Sequence, residues 1–267
     1  MLTPLRVMRH SAAKAWADMW AMYSPLGWCL GWMSRVLMQV IFFAIIGLLL
    51  EDPDQVRYLF IGAAVMVTAV EVLISVASTT WERRQGTLPL LVAAPTRLWP
   101  VFVARSVQWI PSGVLTASVA LFGLGPFFGV TFTPLRALAT FACLVVAAST
   151  TYLFAMVLGA LVLSAMSLRN VVSNVAQAVL MLACGVVVPV GFWPGWVQGV
   201  AQTLPLTHAL AAVRALADPP GEFPAAEVGR GLLLAMVAGA GWLVVAALVL
   251  ERLAASGRRT GSIEFAD

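Results

Sequence analysis

Six long runs of apolar residues constrain the fold of this chain more than any other feature. They cover residues 33–50, 58–80, 106–130, 137–166, 171–192 and 231–250. A helix needs roughly 20 apolar residues to cross a hydrocarbon core of about 30 Å. The runs are continuously apolar rather than alternating, and a helix satisfies its own backbone hydrogen bonds in lipid, so helices are favoured over a barrel. The sequence therefore predicts an all-α polytopic membrane protein with six transmembrane helices.

Composition agrees with a membrane protein. Hydrophobic residues make up 61% of the chain and charged residues 10%, whereas a soluble domain carries about a quarter charged residues. Cys29, Cys143 and Cys184 lie in or beside apolar runs, with no paired spacing and no histidine cluster. We therefore predict neither a disulfide nor a metal site. Topology and attraction to anionic lipid explain the excess of basic residues, so nucleic-acid binding is not predicted.

The distribution of Lys and Arg predicts the orientation, because positive charge in short loops stays on the cytoplasmic side. With the N-terminus inside, the outer segments hold Arg57, Arg136, Arg214 and Arg230, and Arg35 lies near the inner end of the first span. The cytoplasmic segments hold Arg6, Arg9, Lys14, Arg83, Arg84, Arg97, Arg105, Arg169, Arg252, Arg258 and Arg259. An even number of spans then places both termini in the cytoplasm, with residues 251–267 as a cytoplasmic tail. The predicted location is the cytoplasmic membrane.

Residues 1–26 are predicted to form an amphipathic interface helix before the transmembrane domain of residues 27–267. Polar residues recur every four positions on one face, at Arg6, His10, Lys14 and Asp18. Apolar residues recur at three or four positions on another face. Trp16, Trp20 and Tyr23 suit the lipid headgroup region. The segment lacks the apolar core and cleavage site of a signal peptide.

The loop at residues 81–105 separates the second and third runs and reads WERRQGTLPLLVAAPTRLWPVFVAR. Gly86 and Thr87 are typical of a helix start, with Thr87 as the N-cap and Pro89 in the first turn. A short helix over about 88–94 would follow and end at Pro95. Leu88, Leu91 and Val92 would give this helix an apolar side, which we expect lipid headgroups or another protein to cover.

The order of residues in this loop resembles the loop after the second span in membrane subunits of type-2 ATP-binding-cassette exporters. In that family the loop contains a coupling helix that sits in a groove of the nucleotide-binding subunit. The resemblance implies contact or positioning roles for Glu82, Arg83, Arg84, Gly86, Thr87, Leu90 and Leu91. Pro89 departs from the helix-favouring residue common there. The alternative interpretation is a solvated basic loop that only sets topology.

A second resemblance to the same family lies at residues 192–217, after the fifth run. The resemblance begins just before this segment, with VPVGFWP from Val188, and continues with LPLTHAL from Leu204. The two apolar pieces of the segment are each about ten residues, too short to span but suited to re-entrant or interfacial helices. In the family such helices dip into the outer leaflet. The residues that carry this prediction are Pro194, Trp196, Pro205, His208 and Arg214.

Nucleotide chemistry is assigned to another polypeptide. The chain has no Gly-x-x-x-x-Gly-Lys-Ser/Thr sequence, and its one lysine is Lys14. We therefore predict no cofactor on this chain, and ATP-Mg on a partner subunit. The resemblance implies as partners an ABC ATPase subunit, a second permease copy or a paralogue, and membrane lipid.

Glu71 is the deepest ionisable residue, near the middle of the second run. Intramembrane charges cost about +2.5 to +3.5 kcal/mol at a helix centre, which makes Glu71 a candidate for the substrate path. The alternative is a structural, hydrogen-bonded carboxyl, and a contact with Arg35 or Arg105 would require suitable geometry. Gly159 with Ala155, and Gly239 with Ala235, have the small-x-x-x-small spacing of closely packed helices.

These observations predict the permease subunit of an ATP-driven exporter, without catalytic residues of its own. The cargo would be an amphipathic drug, a lipid or a lipid-linked glycan. The alternatives are a polytopic channel or scaffold, or an intramembrane enzyme, that works without an ATPase partner.

Overall fold

The fold is a bundle of long helices with shorter helices at both ends. The computed structural model describes residues 4–22, 24–84, 86–93, 97–163, 165–217 and 222–260. Every regular element within these ranges is helical. In the described part of the chain, five helices are long and apolar enough to cross a membrane: Pro25–Leu49, Pro53–Ser78, Trp99–Phe128, Pro134–Val162 and Ala225–Arg259. The predicted class, a helical polytopic protein, is confirmed.

Two helices form the N-terminal part. Helix α1 (Pro4–Met22) packs against the start of the third long helix, with Ala15 fully buried and Trp16 and Trp20 exposed. Helix α2 (Pro25–Leu49) begins where the Ser24 hydroxyl accepts the Gly27 N–H at 3.1 Å. Ser24 is thus the N-cap, with proline at the first helical position.

Helix α3 (Pro53–Ser78) is the central helix of the bundle. The Asp52 side chain accepts the Asp54 N–H at 2.9 Å and caps its start. The helix is buried along almost its whole length, because other long helices surround it. An all-round apolar helix suits such a position.

The predicted loop at 81–105 contains three helical pieces. Helix α4 (Trp81–Arg84) and helix α5 (Leu88–Ala93) are short, and helix α6 (Trp99–Phe128) already begins inside the predicted loop. The first turns of α6 pack on α1 and are mostly buried. The predicted stop at Pro95 lies outside the described residues.

Helices α7 (Pro134–Val162) and α8 (Arg169–Ala183) follow. The fifth apolar run predicted a helix to residue 192, but α8 has 15 residues, fewer than the roughly 20 needed to span. The backbone turns just beyond it, where Gly185 has a φ of 83°. Apolarity alone does not reveal this turn, and the count of six spans stays a prediction.

Helices α9 (Gly195–Thr203) and α10 (Pro205–Ala217) come next and meet at a sharp turn. Helix α11 (Ala225–Thr260) ends the described chain. The Trp242 indole donates to the Thr203 carbonyl at 2.8 Å, so the α9–α10 turn lies beside the middle of α11. Whether α9 and α10 re-enter a membrane stays a prediction.

The final helix is longer than its apolar run. It has 36 residues and is therefore about 54 Å long at 1.5 Å per residue. Part of the predicted tail, residues 251–260, continues this helix and packs on α5 and α6. Residues 261–267 lie outside the described residues.

The bundle has two ends. The Tyr58 end holds the start of α3, and the Glu82 end holds α4 and α5. Tyr58 and Ser78 are separated by roughly 30 Å along α3, at 1.5 Å per residue. A separate apolar cluster at the Glu82 end consists of Leu88, Val92, Leu98, Phe102, Ala160, Leu163, Leu250 and Ala254.

Candidate functional site

Four side chains join three elements at the Glu82 end, and we call them the Glu82 cluster: Asp18, Glu82, Thr87 and Arg105. Arg105 Nε donates to Glu82 Oε1 at 2.7 Å, and Nη2 of the same guanidinium donates to Asp18 Oδ2 at 2.5 Å. The Thr87 hydroxyl donates to the Glu82 carboxylate. One arginine thus connects α1, α4 and α6 through two carboxylates.

The cluster keeps Glu82 ionised. Burial alone would raise the pKa of Glu82, but the hydrogen bonds from Thr87 and Arg105 outweigh burial and hold the pKa below its ordinary value. The charges of Arg105 and Lys14 act in the same direction. A buried carboxylate with charge-assisted bonds of this kind is a rigid joint, because its donors have fixed positions.

The turn before α5 depends on Gly86 and Thr87. Gly86 has a φ of 69°, a left-handed conformation that costs other residues roughly 1–2 kcal/mol. The Thr87 N–H donates to the Glu82 carbonyl at 2.9 Å, and the Thr87 carbonyl accepts the Leu91 N–H at 3.1 Å. Thr87 directly precedes α5, as the predicted N-cap would, and its hydroxyl donates to Glu82.

The inner side of α5 is covered by the chain itself. Leu88 and Val92 are buried in the apolar cluster with the end of α11. Arg258 Nε donates to the Val92 carbonyl at 2.8 Å, and the Leu98 N–H donates to Glu251 Oε1 at 2.9 Å. The expectation that lipid headgroups or another protein would cover this side is wrong, because α11 extends far enough to do so.

The outer side of α5 has no cover within the described chain. Leu90 is 72% exposed, and Leu91 is half-buried. Arg83 and Arg84 belong to α4, and their side chains lie outside the described part of the structure. The Glu82 end therefore presents a leucine on a short helix that is fixed from behind.

Glu71 lies in a separate polar contact inside the bundle. Its side chain is fully buried and accepts hydrogen bonds from Trp32 Nε1 at 2.6 Å, Ser112 Oγ at 3.0 Å and Thr116 Oγ1 at 3.4 Å. The Arg35 guanidinium lies 4.7 Å from the centroid of the Trp32 ring. Glu71 therefore joins α2, α3 and α6. Arg105, the second arginine that the sequence offered as a partner for Glu71, is instead bonded in the Glu82 cluster.

The residues singled out in the segment 192–217 lie at the start of, or within, α9 and α10. Pro194 directly precedes α9, where Trp196 is 76% exposed. Pro205 begins α10 and is buried. His208 Nε2 donates to the Gln202 carbonyl at 2.8 Å. Arg214 lies 3.7 Å from the Tyr58 ring centroid.

Three arginines at the Tyr58 end bind backbone carbonyls. Arg57 donates to Ala217 at 2.7 Å, and Arg136 donates to Leu216 at 3.3 Å. Arg214 donates to the carbonyls of Tyr58 and Val186, each at 3.3 Å. Arg57 and Arg136 thus satisfy the last carbonyls of α10, where a helix end carries partial negative charge.

Sequence reasoning missed the roles of Asp18, Trp32 and Glu251. Asp18 was grouped with the polar face of α1, but it lies one turn after buried Ala15 and faces Arg105. Nothing in the sequence indicated these three roles, because each partner is distant along the chain: Arg105 for Asp18, Glu71 for Trp32 and Leu98 for Glu251.

The helices and their apolar surfaces define a multi-pass helical membrane protein. The family model of the ABC-2 type transporter matches residues 15–217, from within α1 to the end of α10. The chain therefore belongs to the ABC-2 type transporter family, a family of membrane transport components. No curated protein matches the chain in sequence.

Proposed function

We propose that the chain is the permease subunit of an ATP-driven exporter in the cytoplasmic membrane. It would move an amphipathic drug, a lipid or a lipid-linked glycan outward, and a separate subunit would hydrolyse ATP. One observation carries this proposal: α5 is fixed on α11 from behind while Leu90 remains 72% exposed, in a chain of the ABC-2 family. Single exposed apolar side chains are common on protein surfaces, so the proposal rests on where Leu90 lies: on the short helix of the loop that resembles the family's coupling loop. An ATPase groove is the proposed cover for that leucine.

The Glu82 cluster supplies the mechanism for coupling. Closure of the ATPase displaces α5, and Thr87 transmits the displacement to Glu82. The Glu82–Arg105 ion pair passes it to α6, and α4 passes it to the end of α3. Because α3 runs through the bundle to Tyr58, this route would carry motion from the Glu82 end to the Tyr58 end.

The charges support an orientation with α5 in the cytoplasm. Most basic residues then lie on the inner side, where they are retained. Arg57, Arg136 and Arg214 would lie on the outer side, against this trend. Their bonds to carbonyls of α3, α10 and Val186 account for them as structural residues.

A second permease copy is proposed to cover α8. This helix exposes Asn170 and Asn174 in line with Val171, Val175 and Val179. Amide groups facing lipid are unfavourable, whereas hydrogen bonds between helices satisfy them. In a cysteine-free background, Asn174→Cys should form a disulfide between copies, and Val237→Cys on α11 should not. Cross-linking through α11 alone would contradict this interface.

The partner is tested by affinity purification of the tagged chain from its native host in mild detergent. A stoichiometric P-loop ATPase should co-elute. Leu90→Asp, and reversal of the charges of Arg83 and Arg84, should abolish its binding. Phe127→Asp is the matched control, because Phe127 is 82% exposed at the opposite end. Elution of the chain alone, with ion-conducting or hydrolase activity, would favour the channel or enzyme alternative.

A further inference from the structure

A cavity of about 550 Å³ lies at the Tyr58 end, between α3, α10 and α11. This volume falls within the roughly 300–1,000 Å³ of small-molecule sites. Its wall combines apolar side chains such as Val190 and Leu234 with the charged side chains of Arg214, Arg230 and Glu227. An occupant must therefore offer both apolar surface and charge.

Arg214 is held in place but not fully bonded. Its guanidinium stacks on Tyr58, and Nη2 reaches two carbonyls. Its Nε is buried and has no hydrogen-bond partner in the described part of the chain. A guanidinium offers five donors in a rigid fork; because Nε is buried, the donors left for an occupant of the cavity are those of Nη1, which makes no hydrogen bond within the described residues.

Arg230 adds a second cation on α11. Its side chain is exposed, and within the described ranges the ion pairs are those of Arg105 with Asp18 and Glu82. Glu227 lies nearly one helical turn before Arg230 and also lines the cavity, but it forms no ion pair with Arg230 within the described ranges. The described residues that line the cavity thus include two guanidinium groups without an ion pair and one carboxylate.

The apolar side of the cavity continues onto a lipid-accessible surface. Leu234 lines the cavity, and the neighbouring α11 residues Leu233, Met236 and Val237 are 58%, 49% and 60% exposed. A molecule with its polar group in the cavity can therefore lay an acyl chain along α11. A small soluble anion would leave this apolar surface unused.

We propose that this cavity binds the phosphate headgroup of an anionic membrane amphiphile. Arg214 and Arg230 hold the phosphate, because planar guanidinium groups match its oxygens in bidentate bonds. Val190 and Leu234 contact the first part of the chains. The site requires only the folded chain, so it is independent of the ATPase and of transport.

The test measures lipid binding to the purified full chain in detergent by native mass spectrometry. Phosphatidylglycerol should bind about tenfold more tightly than phosphatidylcholine with the same acyl chains, and Arg230→Gln should weaken phosphatidylglycerol binding about tenfold, the loss of one charge-assisted contact. Arg252→Gln is the matched control, an exposed arginine on the same helix away from the cavity. Arg230→Gln carries the test because Arg230 is exposed and its loss should not affect folding.

Three results would overturn the proposal. The first is equal phosphatidylglycerol binding by Arg230→Gln and Arg252→Gln, and the second is equal binding of the two lipids. The third is displacement of phosphatidylglycerol by millimolar inorganic phosphate, which would make the cavity a site for a free anion.

Discussion

Arg105 and Glu82 form an ion pair at 2.7 Å in which the side chains are 6% and 5% exposed, whereas Asp18, on the same guanidinium, is 32% exposed. The carboxylates of Glu82 and Asp18 thus differ in solvent access but bind the same guanidinium. Buried pairs are costly to break on one side, because the remaining charge is left without compensation. Exposed pairs contribute little. The two carboxylates should therefore differ in their contribution to stability.

We predict that Glu82→Gln lowers the free energy of unfolding by about 1–3 kcal/mol, because the charge-assisted bond to Glu82 is lost while Asp18 still compensates the charge of Arg105. Asp18→Asn should lower it by at most about 1 kcal/mol, because that carboxylate is partly solvated. Unfolding in mixed detergent and denaturant, followed by tryptophan fluorescence, gives both values. Equal losses would mean that burial does not distinguish the two contacts, and the cluster would then lose its proposed role as a rigid joint.

The pH dependence follows from the pKa of Glu82, which lies below its ordinary value of 4.5. A carboxyl with a lowered pKa stabilises the folded state fully above the unfolded pKa, and this contribution disappears as the pH falls through the folded pKa. The protection factors of the amides in residues 86–93, which are exchange rates corrected for the intrinsic pH dependence of amide exchange, should therefore be constant above about pH 5 and fall below pH 4.5. Glu82→Gln should remove this dependence. An unchanged profile in Glu82→Gln would assign the transition to another group.

Gly86→Val tests the turn before α5. Its φ of 69° is unfavourable for a β-branched residue, so the turn should be strained by about 1–2 kcal/mol. We expect faster proteolysis of the loop and loss of ATPase co-purification, with normal membrane insertion. Gly199→Val is the control, because nothing lies within 4 Å of a β-carbon there. If Gly86→Val still binds the ATPase, the position that this turn gives α5 is not required for ATPase binding.

The short helix at the Glu82 end was predicted closely from local sequence. Gly86, Thr87 and Pro89 predicted a helix over about 88–94, and α5 covers Leu88–Ala93. These signals act within one turn of helix, so they can be read without tertiary contacts. The two partners of Arg105 could not be read in this way, because Asp18 and Glu82 meet it only after folding.

The lengths of two helices were predicted less well, for a shared reason. The apolar run to residue 192 continues past the end of α8, where Gly185 turns the backbone, and α11 continues past its apolar run. Apolarity reports which residues tolerate lipid, not where the backbone remains helical. The residues of α11 beyond 250 are held by α5 and α6, a contact that hydropathy does not report.

A substitution can separate the two interpretations of Glu71, a structural carboxyl and a residue of the substrate path. Glu71→Gln keeps the shape: its amide oxygen can accept from Trp32 and Thr116, and its NH2 group can donate to the Ser112 hydroxyl, so it should leave the unfolding midpoint nearly unchanged. Glu71→Ala leaves these buried donors without an acceptor and should cost about 1–3 kcal/mol or more. Transport by Glu71→Gln near the wild-type rate supports a structural carboxyl. Loss of transport with an unchanged midpoint would instead place Glu71 in the substrate path.

Helix α11 contains a matched pair of glycines that tests its packing. A methyl group on Gly239 would lie 2.8 Å from Thr150 Cβ and Cγ2, whereas nothing lies within 4 Å of a methyl group on Gly241. Gly239→Ala should therefore destabilise the bundle by about 1–3 kcal/mol through overpacking against α7. Gly241→Ala should be neutral or stabilise by up to about 1 kcal/mol, because alanine favours helix. Unfolding midpoints of the two variants, measured side by side in one detergent, give the comparison. If the two variants have the same unfolding midpoint, α11 is free to move away from α7. This result would contradict a closely packed contact at Thr150.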